Sequence, residues 1–346
     1  MVKQRTALDK NRAHTQERTM KSMETQEKRF DQAVKQLCDP VANLLLFLPG
    51  YLKEQVQEVR LRAGQPLSLC SGSRSWFVDR SGKVYDRPNE LCYRVEQGDL
   101  FASFRSLCSY SVHTHQNEIR QGFVTISGGH RAGICGTAVY EQNQKTGVRD
   151  ITSINLRIAR QIHGVADELV DQVFSKGLQG VLIAGAPSSG KTTLLRDLAR
   201  QLSSGRAGAC YKVAVVDERS EIAACSGGTV QNDLGPCCDV LDGFSKEEGI
   251  QMALRVLSPQ VILCDEVGTQ AEIQGVISGV NSGVAVVTTI HANSLQEILR
   301  RPQGRALLET GAFETLVILA GAKEPGKIRQ LMPLSAHLWE KIPQMQ

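Results

Sequence analysis

Three regions differ in how apolar and polar positions follow one another along the chain. Residues 1 to about 29 are almost entirely Lys, Arg, Glu, Gln, Thr and Asn, and so few apolar side chains cannot bury enough surface to order a segment. This stretch is a flexible charged tail or a solvated helix that leads into Phe30. We expect domains over residues 30–160 and 165–335, with a C-terminal tail over 336–346.

The first domain has the pattern of a small α+β structure. Apolar positions over Asp31–Leu48 favour a helix. Alternation over Glu58–Arg62, before a Gly-Gln-Pro turn, predicts a half-buried strand. Further strands are expected at Leu67–Leu69, Ser75–Val78, Gly122–Ile126 and Ile151–Arg160, with a turn over Ser127–Arg131.

The second domain has the pattern of an α/β fold. Short apolar runs alternate with segments of helical periodicity, which is typical of βαβ units and a parallel sheet. Strands are predicted at 181–185, 212–217, 261–265, 284–290 and 315–320. Helices are predicted at Ser245–Leu257, Thr269–Asn281 and Leu295–Leu308.

A phosphate-binding loop lies between the first of these strands and the helix after it. Residues Gly185 to Thr192 read GAPSSGKT, which matches GxxxxGK[ST] in the strand–loop–helix context that this motif requires. Its glycines let successive N–H groups point at phosphate oxygens, and the helix adds its positive dipole end. Lys191 is expected at the β and γ phosphates, and the Thr192 hydroxyl on Mg²⁺. The predicted nucleotide-binding residues are Gly185, Ala186, Pro187, Ser188, Ser189, Gly190, Lys191, Thr192 and Thr193.

A second motif ends the strand predicted at 261–265. The apolar run Val-Ile-Leu-Cys is followed by Asp265 and Glu266, at the carboxyl end of a parallel strand, where open α/β sheets bind ligands. Asp265 suits an acid that holds Mg²⁺ through water, and Glu266 suits a general base for a water aligned on the γ-phosphate. The alternative is a strand that simply ends in solvated acids.

Two further predicted strands end in polar residues that can face the same crevice. Asp217 or Glu221 can help to place Mg²⁺ or the attacking water, and Arg219 can contact phosphate or a neighbouring subunit. Solvated acids at a strand end remain the alternative. His291 ends the strand after the one carrying Asp265, where a neutral imidazole can sense the γ-phosphate through a hydrogen bond. A histidine with a purely structural role is the alternative.

The composition restricts the class of protein. The chain has 346 residues, of which 41% are hydrophobic and 22% charged, and its net charge of +4 does not by itself indicate nucleic acid or an anionic membrane. Its longest apolar runs are too short to span a bilayer, and the polar N-terminus does not resemble a signal peptide. Its ten cysteines include no CxxC pair and are expected to be thiols. The sequence therefore indicates a protein that is cytoplasmic or held at a membrane by a partner.

Arginines of the first domain are candidates for a role between subunits. A guanidinium supplied from outside the core fold can stabilise a transferring phosphate. An exposed position on a strand face is the simpler interpretation for each one taken singly. The candidates are Arg60, Arg62, Arg105, Arg131 and Arg157.

Taken in order, these motifs resemble a known superfamily. The phosphate loop is followed by VAVVDERSEIA, LSPQVILCDEVG and TTIHA, which is similar to the secretion ATPases of type II and type IV secretion and pilus assembly. The segments EVRLRAGQPL, RQGFVTISGGHRAGICGTAV, SINLRIAR and DVLDGFSKEEGIQMALRVLSPQV resemble those of the stage III sporulation protein AA family of endospore-forming bacteria. This resemblance covers about residues 30–335.

The resemblance implies a RecA-like P-loop NTPase core that binds ATP and Mg²⁺, preceded by the small α+β domain, and a ring-shaped homo-hexamer. It implies action at the inner face of a membrane, in the mother cell cytoplasm, on a channel built by integral membrane proteins during spore formation. No nucleic acid and no direct membrane span are expected. By motif, Thr192 and Asp265 are the metal ligands, and Glu266, Glu221 (acidic box) and His291 (histidine box) are the catalytic residues.

One position departs from the family pattern, and two other functions remain open. Cys237 stands before the Asp-Val-Leu-Asp segment, where an arginine is expected from the family pattern. A contact that this arginine normally makes can be missing or replaced here, so reduced activity of this protein is one alternative. A RecA-like ATPase acting on nucleic acid predicts a basic groove with aromatics, but aromatic residues make up only 5% of the chain. A nucleotide-binding scaffold with little turnover predicts the loss of the base, but Glu266 is present.

Overall fold

The computed structural model describes residues 26–141 and 144–334. The chain divides into two compact units, the first ending at Arg160 and the second beginning at Gln161. Residues 26–29 belong to a helix that leads into Phe30. For these four residues, the structure agrees with the interpretation of the N-terminal segment as a helix and not as a flexible tail. The rest of that segment and the predicted tail over 336–346 lie outside the described residues.

An antiparallel sheet forms the centre of the first unit. Within the described residues it has seven strands in the order β4-β3-β2-β1-β7-β6-β5, and each neighbouring pair is antiparallel. The strands are β1 (Glu58–Arg62), β2 (Ser68–Ser71), β3 (Arg74–Val78), β4 (Val84–Tyr85), β5 (Phe123–Ile126), β6 (His130–Glu141) and β7 (Gln144–Arg157).

Alternation along these strands explains why they form. In β1, Val59 and Leu61 are fully buried, and Arg60 between them is half-buried. Val59 lies opposite Leu156 of β7, which is also fully buried. Each aliphatic side chain buried in this way stabilises the fold by about 2 kcal/mol. The predicted strand at Glu58–Arg62 is therefore confirmed.

Helices cover the buried face of this sheet. They are α1, which includes residues 26–34, α2 (Asp39–Leu46), α3 (Gly50–Gln55), α4 (Gln97–Leu107) and α5 (Gln116–Gln121). The single helix predicted over Asp31–Leu48 is wrong, because the chain turns after residue 34 and is extended at Cys38, and a new helix then begins with Pro40 in its first turn. The predicted turn over Ser127–Arg131 is also too long, since β6 begins at His130 and continues far beyond Gly133.

A mostly parallel sheet forms the centre of the second unit. Its order is β10-β9-β11-β12-β8-β13-β14; the pairs from β10 to β13 are parallel, and β14 is antiparallel to β13. The strands are β8 (Val181–Ala184), β9 (Val213–Asp217), β10 (Cys238–Asp242), β11 (Val261–Cys264), β12 (Ala285–Ile290), β13 (Thr315–Leu319) and β14 (Ile328–Pro333). All five predicted strands and the mixed α/β class are confirmed, but β10 and β14 were not predicted.

Every residue of β8, β9, β11 and β13 is buried, because two hydrophobic clusters cover the two faces of the sheet. The covering helices are α6 (Asp167–Gln172), α7 (Lys191–Ser203), α8 (Lys246–Val256), α9 (Gln270–Asn281), α10 (Leu295–Arg300) and α11 (Pro302–Glu309). The predictions for α8 and α9 are confirmed. The single helix predicted over Leu295–Leu308 is wrong, because Pro302 starts a new helix after the extended Arg301.

Parallel pairing brings the carboxyl ends of β8, β9, β11 and β12 to one edge of the sheet. Open α/β sheets bind ligands at this edge. In the described part of the chain, no helix has the length and apolar character needed to cross a membrane.

Candidate functional site

The loop between β8 and α7 has two residues in the left-handed backbone region and leads into the start of a helix. Ser188 has a φ of +61° and Gly190 a φ of +91°. Gly190 is the N-cap of α7, and no side chain in the described residues caps this end. Because the first N–H groups of a helix lack intrahelical acceptors, the start of α7 is suited to an anion.

Two glycines of this loop are required by close packing. A Cβ on Gly185 would lie 2.3 Å from Ser189 Oγ, and a Cβ on Gly190 would lie 2.3 Å from the backbone nitrogen of Gly326. Gly326 donates its N–H to the Ser189 carbonyl at 2.8 Å, so the segment before β14 holds the loop. Ser189 Oγ is buried and has no hydrogen-bond partner among the described residues. This tight loop with an unused polar atom fits a phosphate.

Lys191 is the buried cation of the loop. Its side chain is 9% exposed, and Nζ donates to the Gly185 carbonyl at 2.9 Å and to the Ala186 carbonyl at 3.0 Å. Nζ also lies 2.9 Å from His291 Nδ1. Burial lowers the pKa of Lys191, and the charge of Glu266 opposes that shift. The ammonium is therefore pre-positioned, with all three donors engaged.

The His291 ring joins Lys191 to Glu266. Because an ammonium has only donors, Nδ1 of His291 accepts from Lys191, and the ring proton of the neutral imidazole resides on Nε2. Nε2 lies 2.9 Å from Glu266 Oε2 and donates to it. A continuous chain of hydrogen bonds therefore runs from the phosphate loop to the acid after β11.

Asp265 lies at the end of β11 with only 14% of its side chain exposed. Thr288 Oγ1 of the neighbouring strand donates to its backbone carbonyl at 2.8 Å, which fixes its position. Burial raises the pKa of Asp265, and Lys246 acts in the opposite direction. Thr192 lines the same cavity, so a hydroxyl and a carboxylate oxygen, ligands that Mg²⁺ prefers, are both available.

Asp217 and Glu221, which the sequence offered as alternatives, have different roles in the structure. Asp217 is fully buried, and its carboxylate accepts backbone N–H bonds from Glu221, Ile222 and Ala223 at 2.7–2.9 Å. It therefore shapes the loop after β9 and does not line the cavity. Glu221 is exposed and does line the cavity, and Arg196 of α7 donates to its carbonyl at 2.7 Å.

Sequence reasoning missed three charged residues that line the cavity, namely Lys246, Glu218 and Glu272. Lys246, the first residue of α8, lies 2.5 Å from a Glu218 oxygen, 3.1 Å from a Glu272 oxygen and 3.3 Å from Asp265 Oδ1. Burial acts to lower the pKa of Lys246, but these carboxylates outweigh it and raise the pKa well above its usual range. A lysine in the first turn of a helix opposes the helix dipole, and this was the available signal.

These residues surround one cavity of about 840 Å³, a volume suited to a small-molecule ligand. The carbonyls of Gly185 and Ala186, in the phosphate loop, accept hydrogen bonds from Lys191 Nζ. The predicted site residues in its lining are Pro187, Ser188, Ser189, Gly190, Lys191, Thr192, Thr193, Glu221, Asp265, Glu266 and His291, with Arg219 also present.

Cys237 lies away from this cavity. It precedes β10, where Cys238 pairs with Val213 at the beginning of β9. The cavity lies at the other end of these strands, about 13 Å away by strand rise. Position 237 therefore lies at the end of these strands opposite the crevice.

The five candidate arginines of the first unit all have partners within that unit. Arg60 and Arg157 bind Glu58 at 2.6 and 3.2 Å, and Arg62 donates to Ser68 Oγ at 3.1 Å. Arg131 and Arg105 lie over aromatic rings, with Arg131 3.8 Å from the Phe123 centroid.

A family model and a related protein identify the same family for this chain. The family described as sporulation stage III, protein AA, matches residues 28–334. The stage III sporulation protein AA of Bacillus subtilis (strain 168) is 36% identical over 296 residues, which cover 85% of this chain and 92% of that protein.

Solved structures of ATPases have a similar fold. The X-ray structure of the Legionella pneumophila ATPase DotB matches with a TM-score of 0.51 and 14% identity, over 86% of this chain and 84% of that one. The crystal structure of the pilus retraction motor PilT with bound ADP matches with a TM-score of 0.53 and 14% identity, over 84% and 82%. At this identity the likeness shows the fold alone.

Proposed function

Since the chain belongs to the sporulation stage III protein AA family, we propose that it is a Mg²⁺-dependent ATP hydrolase with a RecA-like core. The observation that carries the proposal is the hydrogen-bonded chain from Lys191 through His291 to Glu266. It joins a phosphate-binding loop to a carboxylate that can act as a base. The fold similarity to PilT, whose structure holds ADP, supports a nucleotide at this site.

The roles of the residues follow from their positions. The start of α7 and Lys191 bind the phosphates, and the Thr192 hydroxyl and Asp265 hold the metal. When bound, Mg²⁺ neutralises charge on the phosphate oxygens. Glu266 orients the attacking water and accepts its proton, while Glu221, across the cavity, helps to position that water.

The resting hydrogen bonds provide a way to couple nucleotide binding to the base. Lys191 has three donors, and all three are engaged by Gly185, Ala186 and His291. A phosphate oxygen that accepts from Lys191 must replace one of these acceptors. Of the three partners, only His291 accepts through a side chain, and 36% of that side chain is accessible. Its displacement frees Nδ1 and alters its bond to Glu266, so that His291 reports the phosphate to the base.

The family relationship supports a role in spore formation. We propose that the chain acts as a homo-hexamer at the cytoplasmic face of a mother-cell membrane, on a channel complex of integral membrane proteins. Arginines of the first unit are candidates to act between subunits, although Arg60 and Arg157 would have to leave Glu58 to do so. Nucleic acid is not proposed as a partner.

Two other functions predict different behaviour. An ATPase that acts on nucleic acid predicts turnover stimulated by DNA or RNA. A nucleotide-binding scaffold predicts binding with little turnover; the contact between Glu266 and His291 supports hydrolysis over this alternative.

Steady-state ATPase activity of the purified full chain, measured across protein concentration, tests the proposal. Turnover is expected to rise as the protein assembles. Glu266→Gln keeps the size of the side chain but removes its basicity, so it should retain ATP binding and lose at least about 100-fold in turnover. Retained turnover in this variant would mean that another group activates the water. ATP binding without turnover at any concentration would favour the scaffold.

A further inference from the structure

Lys246 is a buried cation that lies outside the phosphate loop and outside the strand ends that carry the predicted site residues. Only 4% of its side chain is exposed, and its ammonium contacts three carboxylates, those of Glu218, Asp265 and Glu272, at 2.5, 3.3 and 3.1 Å. The side chain lines the nucleotide cavity. A lysine is almost never buried unless it is paired, so its place depends on these three acids.

The three acids come from different elements of the second unit. Glu218 follows β9, Asp265 follows β11, and Glu272 lies in the first turn of α9. Glu272 also accepts the backbone N–H groups of Gly268 and Thr269 at 2.8 Å, which fixes its carboxylate. Lys246 is therefore the common point that holds two loops and a helix start around the proposed metal ligand.

The charges of this cluster do not cancel. One ammonium faces three carboxylates, so the local charge is −2 when all four groups are ionised. Without the lysine the charge would be −3, and carboxylate oxygens are the donors that divalent cations prefer, although among the described residues no three such side chains are themselves spaced to hold a metal ion. Lys246 thus supplies a positive charge in direct contact with all three carboxylates.

We propose that Lys246 is a positioning residue that serves as the built-in counter-ion of Glu218, Asp265 and Glu272. It holds Asp265 in place before the nucleotide arrives, and it keeps free divalent cations out of the cluster. Metal then enters together with the nucleotide, whose phosphates supply the remaining ligands. This inference rests on the proposed function of Asp265 as a metal ligand.

The test measures Mn²⁺ binding to the full chain in the absence of nucleotide. The electron paramagnetic resonance signal of free Mn²⁺ is the readout. The native protein and Lys246→Arg, which keeps the positive charge, should bind Mn²⁺ weakly. Lys246→Met, which keeps the length but removes the charge, should bind one Mn²⁺ at least about tenfold more tightly. Lys176→Met, at an exposed lysine of the same unit, controls for the change in net charge and should match the native protein.

Each outcome decides the proposal. Equal Mn²⁺ affinity in the native protein and Lys246→Met would overturn it and leave Lys246 a purely structural role. Tight binding in Lys246→Arg would also overturn it. If Lys246→Met does not fold, the double variant Glu218→Gln, Lys246→Met restores the charge of −2 and should still bind Mn²⁺ more tightly than the native protein. Because no nucleotide is present, these results are independent of whether the chain hydrolyses ATP.

Discussion

Each unit of this chain contains a seven-stranded sheet, but the two sheets use charged residues differently. In the antiparallel sheet of the first unit, arginines lie along the strand faces and pair with neighbours, as Arg60 and Arg157 do with Glu58. In the mostly parallel sheet of the second unit, the strands are buried throughout, and Asp265 and His291 follow where the strands end. Parallel strands gather such ends at one edge, and antiparallel strands distribute them to two. This difference explains why the reactive groups concentrate in the second unit.

The sharpest test of the comparison is the loss of nucleotide affinity on Lys191→Ala. This change removes the buried cation of the loop and its charge-assisted bonds, so ADP and ATP affinity should fall by at least about 100-fold, or roughly 3 kcal/mol. Arg87→Ala, which removes an exposed cation of the first unit that is not a candidate to act between subunits, is the matched control and should bind nucleotide normally. Isothermal titration calorimetry measures both. Unchanged ATP affinity in Lys191→Ala would contradict the site assignment.

The second test uses the opposite responses of the two units to acid. In the first unit, burial and then Arg29 lower the pKa of His130 to about 3. The unfolded chain therefore binds a proton below pH 6.5 that the folded unit does not, and stability falls as the pH drops from 6.5 towards 3. In the second unit, burial raises the pKa of Asp217 to about 6, against its backbone hydrogen bonds. The folded unit then binds the extra proton, and stability rises as the pH drops from 6 towards 4.

Between pH 7 and pH 5, His130 should weaken the first unit by about 2 kcal/mol, and Asp217 should strengthen the second by about 1 kcal/mol. Hydrogen exchange read by mass spectrometry, corrected for the intrinsic rate, resolves the two units. His130→Asn should flatten the response of the first unit, because an amide oxygen can still accept from the Ala159 N–H. Asp217→Asn should flatten that of the second. Parallel responses in both units would refute this assignment of the pH dependence.

The smallest expected effect concerns the surface ion pairs of the first unit. Arg157 is 66% exposed where it meets Glu58, and such a pair contributes at most about 1 kcal/mol. Arg157→Ala should therefore lower the melting temperature only slightly, and less still in high salt. A large loss of stability, measured by calorimetry in low salt, would show that these arginines are structural and would weaken their candidacy between subunits.

The sequence predicted the second unit better than the first. Its strands are continuous apolar runs bounded by Gly, Pro or acids, so Val181–Ala184 and Val261–Cys264 were found within one residue of their observed ends. In the first unit the long β6–β7 hairpin was recognised only in parts, because Gly133, Gly136 and Gly147 interrupt its alternation. Two predicted helices are each divided in the structure, with Pro40 or Pro302 in the first turn of the second part, although helical periodicity continues across the break.

In the candidate site, the residues of short contiguous motifs were predicted from the sequence, whereas contacts between distant residues were not. The phosphate loop is a contiguous motif, and the backbone geometry that it needs is encoded by Gly185, Gly190 and the flanking strand and helix. The sequence also identified Asp265, Glu266, Glu221 and His291 as residues at strand ends. Whether each of them acts in catalysis stays a prediction.

The sequence by itself determined the mixed α/β class, the phosphate loop and the order of strands and acids after it, because these depend on local periodicity and short motifs. Only the tertiary structure decided that His291 joins Lys191 to Glu266, that Asp217 shapes a loop while Glu221 lines the cavity, and that Lys246 lies among three carboxylates. The physical reason is that a contact between residues up to 100 positions apart depends on strand order and register. Neither strand order nor register can be read from a single segment in isolation. The hydrogen bonds between strands join backbone N–H and C=O groups, which almost every residue carries.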